Sequence, residues 1–261
     1  GDIFLPWRSG IGRLYSLSHF RNAKDALRKG GLFCQWLPLY QMTAGQFASV
    51  LHTFRQVFPE SWLVRNGFLY CQPYIGIAGY KDGNYPSWET LSARCETVRQ
   101  QQLSANVFLR HPHGVAMNII GPADIPGTIK EAHLNTLGNT WVEYDAAAVF
   151  LRKGWDPFTK IQWAEYNNTQ IIDIVTGNEV PQPFSEPIAQ GLLWLRIQQA
   201  HAVDAPSSTL RAMSARAIRT LPPTISSDPL FDWSDLIVDV PISLYGQRDS
   251  SYTTLQAEPD R

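Results

Sequence analysis

The sequence predicts an α/β chain: the late half of an open sheet ending in an antiparallel hairpin, followed by a mostly helical C-terminal extension. Three observations carry this. Short apolar runs alternate with amphipathic helical segments over residues 1–58. Strand-like runs then follow closely around Asn66-Gly67, a dipeptide suited to a tight hairpin turn. From about residue 155, prolines punctuate helical pieces.

Gly1-Asp2-Ile3-Phe4 reads as the end of a strand, and with no Met before it the chain reads as a piece of a longer protein. Leu5-Pro6-Trp7-Arg8-Ser9-Gly10-Ile11-Gly12 is a loop, broken by Pro and two Gly. Ser16 or Ser18 caps a helix over 17–29, with Leu17, Phe20, Ala23 and Leu27 at helical spacing and Gly30-Gly31 as its stop. The apolar run 32–37 is expected as a central, buried strand, limited by Pro38. Thr43 and Gln46 have capping-box spacing, and Phe47, Val50, Leu51, Phe54, Val57 and Phe58 mark one face of a helix over 43–58. Runs at 62–65, 68–71 and 74–80 read as strands, giving the hairpin between about 61 and 80. Residues 81–86 form a linker and 87–103 a helix capped by Ser87. Trp141-Val142-Glu143-Tyr144 reads as a short edge strand, and 157–175, 187–203 and 207–220 as helices before a polar, frayed end at 250–261. The organisation is a partial α/β core at 1–82, an α+β extension of it at 83–153 and a Pro-punctuated helical tail at 154–261.

Composition narrows the function. Hydrophobic residues make up 44% and charged residues 17%, which excludes a charge-rich disordered chain. Twenty-two Lys and Arg against 23 Asp and Glu give a net charge of −1, so a large basic footprint for nucleic acid is not expected. Cys34, Cys71 and Cys95 are odd in number and far apart, which argues against a disulfide framework or a thiolate zinc site and for a reducing, cytoplasmic setting. No apolar run approaches the length of a membrane span, and no signal-peptide pattern heads the chain. No G-x-G-x-x-G or P-loop occurs in it.

Two stretches resemble the spermidine synthase family, most closely its long bacterial members. The first runs from Gly1-Asp2-Ile3-Phe4-Leu5-Pro6-Trp7-Arg8-Ser9-Gly10-Ile11-Gly12-Arg13-Leu14-Tyr15-Ser16 through His19-Phe20. It continues over Gly30-Gly31-Leu32-Phe33-Cys34-Gln35-Trp36-Leu37-Pro38-Leu39-Tyr40-Gln41 to Val57-Phe58-Pro59. The second is Leu134-Asn135-Thr136 with Val142-Glu143-Tyr144, where family members often carry Leu-Asn-Thr-Asp-Asp; here Leu137-Gly138 replace the two Asp. The resemblance covers about residues 1–150, densely to 80. It implies a Rossmann-like, class I methyltransferase fold, of which these residues are the late, carboxyl half. It also implies aminopropyl transfer from decarboxylated S-adenosylmethionine to an amine. That co-substrate, or S-adenosylmethionine itself, would be bound mainly by the early half of the fold, which lies outside the matching residues.

The resemblance assigns residues as well. The family's Asp-x-x-Asp-Pro motif corresponds to Asp2-Ile3-Phe4-Leu5-Pro6, so Asp2 is expected as amine anchor and general base, while Leu5 replaces the second Asp. Losing one of two carboxylates weakens a diamine site. Arg8 and Trp7 lie in the same loop, where they could meet an anionic group or be surface charge and packing ring. Tyr15, Gln35, Trp36, Tyr40 and Gln41 are the substrate-binding candidates, at the carboxyl edge where open α/β sheets bind ligands. Tyr15 can equally pack against the sheet, and Gln35 and Trp36 compete for one role. Expected partners are a small-molecule amine and a second copy of the chain, with a membrane region ahead of Gly1 in the parent protein.

Other features read as structural. His111-Pro112-His113 lacks a third ligand and reads as surface histidines, so no metal is expected. Asp228, Asp232, Asp235 and Asp239 lack the spacing of a calcium loop and read as a solvated face. Trp155, Trp163, Trp194 and Trp233 read as helix packing, and the sequon at Asn167 as chance. Three functions compete: an aminopropyltransferase-like enzyme, a non-catalytic binding or sensing domain of a membrane-linked protein, and a plain interaction module resting on the tail.

Overall fold

The computed structural model describes residues 1, 5–38, 42–65, 74–83, 86–104, 106–123, 132–153, 183–202 and 206–230. Over these the chain is mixed α/β. Helix α1 (Leu17–Ala26) leads into strand β1 (Leu32–Pro38), helix α2 (Ala44–Arg55), and strands β2 (Ser61–Arg65) and β3 (Tyr74–Tyr80). Helix α3 (Trp88–Gln100), the short helix α4 (Pro112–Ala116) and strand β4 (Ile119–Pro122) follow. Helices α5 (Trp141–Lys153), α6 (Ser185–Ala202) and α7 (Ser207–Arg219) come last, with a helical turn at Pro223–Ser226.

Local chemistry explains the boundaries. The Ser16 hydroxyl accepts from the His19 amide and starts α1. The helix stops at Ala26, short of the expected 29, because Leu27 turns extended and the Lys81 ammonium takes up the Asp25 and Leu27 carbonyls. Thr43 and Gln46 form the expected capping box at α2. The Ser87 hydroxyl caps α3.

The sheet order is β1-β3-β2-β4, with each neighbouring pair antiparallel. The expected hairpin is therefore present as β2 against β3. Among the described strands β1 ends this order, because β3 returns between β1 and β2. Its free edge meets Gly1: the Gly1 amino group donates to the Cys34 carbonyl (2.6 Å) and the Trp36 amide donates to the Gly1 carbonyl (3.3 Å). That is the bonding pattern of a parallel bridge between Gly1 and Gln35.

Two cores hold the elements. In the first, Phe47, Val50, Leu51 and Phe54 of α2 pack on Leu37, Leu63, Ile75 and Ile77 of the sheet and on Phe20 of α1. The Phe54 ring stacks on Phe58 (4.8 Å) and meets Phe20 edge-on (5.0 Å). Gly79 lies where a Cβ would run into Phe58, so the close helix–sheet approach depends on it. The second core joins Val107, Phe108 and Met117 to Trp194, Ile197, Ala217, Leu221 and Ile225, so Trp194 is packing, as expected.

The 141–144 segment opens helix α5 instead of forming an edge strand. The four residues are too few to show a period, but Val142, Ala146 and Val149 are all buried at i, i+4 and i+7. The Ala146-Ala147-Ala148 run adds strong helix formers. The expected strand at 68–71, helix at 157–175, strand end at 3–4 and frayed end at 250–261 lie outside the described residues, as do Trp155, Trp163, Trp233, the sequon and Cys71.

Asn135 ties this fold together. Its side chain is fully buried; Nδ2 donates to the Gly12 carbonyl (2.7 Å) and Oδ1 accepts from the Val142 amide (3.3 Å). Its backbone accepts from the Leu17 amide (2.9 Å) and donates to Thr53 Oγ1 (2.9 Å). Asn135→Ala leaves a buried carbonyl and a buried amide unpaired. It should cost about 2–5 kcal/mol, read as a lowered urea midpoint with an unchanged m-value.

Candidate functional site

The loop at 5–12 is the part of the expected site that the described residues cover best. It folds as consecutive turns: the Arg8 amide donates to the Leu5 carbonyl and the Ile11 amide to the Arg8 carbonyl, both at 3.1 Å. Gly10 sits at φ 84°, a left-handed conformation that a side chain would resist. A 3-10 turn at Ile11–Tyr15 then leads into α1.

Helix α5 clamps this loop. Glu143 Oε1 accepts from the Gly10 amide and Oε2 from the Gly12 amide, each at 2.9 Å. A Cβ on Gly12 would press into Glu143 and Thr140 at 2.7–2.9 Å, so glycine is needed there for the approach. One face of the Trp7 ring stacks on Phe150 at 5.1 Å and 13°. From the same helix, Asp145 Oδ2 accepts from Gln46 Nε2 (2.7 Å) at the start of α2. Helix α5 therefore bridges the 5–12 loop and the beginning of α2, the helix that follows β1.

The expected residues separate into distinct environments. Arg8 and Leu5 are exposed. Tyr15 is fully buried in the first core. Gln35 is fully buried too; its Nε2 donates to the Trp36 carbonyl (3.0 Å), and Gly1 lies so close that a Cβ there would collide with the carboxamide. Trp36 is half-buried on the opposite face of β1, packed with Cys34 and Val64 over Gly76. Strand alternation thus divides Gln35 from Trp36. Asp2, Tyr40 and Gln41 lie outside the described residues. Glu143 and Asp145 are the site residues that sequence reasoning did not single out. The signal was the Val142-Glu143-Tyr144 stretch, whose helical setting puts Glu143 against the loop.

Other reactive side chains are engaged or quenched. Burial pushes the Cys34 thiol up to about 11, which removes it as a nucleophile near neutral pH. Among the described residues no group of three or more metal-ligating side chains comes together. His111 is not a surface histidine: its Nε2 pairs with Asp228 Oδ2 at 2.8 Å, with Arg110 Nε 3.6 Å from the same oxygen. Asp228 is likewise not part of a solvated face, since its side chain is only 4% exposed where the turn at Pro223–Ser226 packs back on the 107–117 region. His113 meets the Trp88 ring edge-on at 5.0 Å.

The fold and site define a mixed α/β chain with a braced, glycine-containing loop beside its sheet. No family model, curated protein or solved structure matches it. No helix among the described residues is long and apolar enough to cross a membrane.

Two predictions follow from this geometry. Glu143→Gln replaces one carboxylate oxygen by an amide NH2 group that donates and cannot accept, so one glycine amide loses its partner. Amide exchange at Gly10 or Gly12 should accelerate by about 10-fold or more, with the α2 amides unchanged. For Asp228, burial pushes the carboxyl up, but the Leu230 amide, His111 and the Arg110 charge outweigh it and hold the carboxyl below its usual range. Its stabilisation is therefore present above the ordinary carboxylate value and fades as pH falls through the lower folded value. Denaturant titrations over about pH 5 to 2 should show a shallower acid loss in Asp228→Asn than in the wild type.

Proposed function

We propose that the chain is a spermidine synthase-like transferase domain that moves an aminopropyl group from decarboxylated S-adenosylmethionine to an amine. Asp2 is its amine anchor and general base. The carrying observation is a contact. The two stretches that resemble the family, far apart in sequence, meet directly: Asn135 and Glu143 of the second bond Gly12 and Gly10 of the first. The strand order supports the same reading. An antiparallel strand inserted between two strands parallel to each other, with a further parallel bridge at Gly1, is what the late half of a Rossmann-like methyltransferase fold calls for. In this reading the cationic amine is held beside a carboxylate, which accepts its proton as the nitrogen attacks the carbon next to the sulfonium; the C–S bond breaks and the sulfur leaves as a neutral thioether.

A second reading, a non-catalytic binding or sensing domain, draws on the burial of Tyr15 and Gln35 and on Leu5 in place of an acid. Asp2→Asn in the full-length protein separates the two. It keeps the shape and removes the charge, so turnover should drop by at least about 100-fold with the melting temperature nearly unchanged. Turnover within a few-fold of wild type would make Asp2 structural, and a wild type that transfers to no amine would hand the site to the second reading. The 261-residue chain alone should bind S-adenosylmethionine or its decarboxylated form more weakly than micromolar, about −8 kcal/mol, by calorimetry.

A further inference from the structure

We draw no further inference here: the strongest candidate, the exposed arginine face of α7 (Arg211, Arg216 and Arg219), carries nothing, because nothing in the structure shows what covers it.

Discussion

The grip of α5 on the loop at 5–12 is the constraint on which the rest of the arrangement depends. Glu143 and Gly12 are 131 residues apart in sequence. Bringing the ends of so long a segment together costs about 4 kcal/mol in closure entropy, beyond a constant. Two amide-to-carboxylate bonds contribute about 1.5–3 kcal/mol each when buried, and less for a carboxylate that is only half-buried. The clamp alone therefore does not offset closure comfortably. The fully buried Asn135 network and the apolar contacts of Val142 and Trp141 with the first core must share the work. The loop and the first core thus lean on shared residues, Asn135 and Val142, while the Glu143 bonds can open locally.

The same logic operates at the seam between the two cores. Met117 is fully buried there, and its carbonyl receives the Arg65 guanidinium at 2.8 Å. The Arg65 amide bonds the next carbonyl, that of Asn118, also at 2.8 Å. Burial alone pushes Arg65 down to about 9, so the charged form is retained at neutral pH while its desolvation is partly offset by the Met117 carbonyl. From the other side Gly191 of α6 lies against the Met117 backbone so closely that any side chain would collide. Strand β2, the 112–118 turn and α6 thus converge on one peptide. This convergence adds to the apolar packing of the second core in attaching α6.

Much of the fold was legible in the sequence wherever local signals were redundant. The capping box at Thr43 and Gln46 coincided with an apolar face that repeats through Phe58, so α2 was readable from two independent cues. The cap at Ser16 and the hairpin partners β2 and β3 were readable in the same way. Legibility failed where the deciding interaction was distant. Trp141-Val142-Glu143-Tyr144 is β-prone by composition, and only the burial of Ala146 and Val149 further along reveals a helical period. Asp228 looked like one member of an acidic run because its partner, His111, is 117 residues away. Within the site, Arg8 and the loop could be placed from Pro and Gly punctuation. The role of Glu143 could not, because its stretch reads as a strand until the helix is seen, and the amides it bonds lie 131 and 133 residues away.

The burial pattern also constrains where chemistry could run. Tyr15 and Gln35 are sealed in the interior, and a ligand could reach the Gln35 carboxamide only if the Gly1 segment against it moved. Moving the loop means breaking the Glu143 bonds and the Trp7–Phe150 stack together, since both hold the same few residues. Contacts that are lost together raise the cost of opening well above that of any one of them. A ligand therefore meets the outer surface of the turn, with Leu5 and Arg8, before it meets the polar atoms beneath. The buried tyrosine and carboxamide therefore belong to the packing of the interior, and they can meet a ligand only where that packing opens.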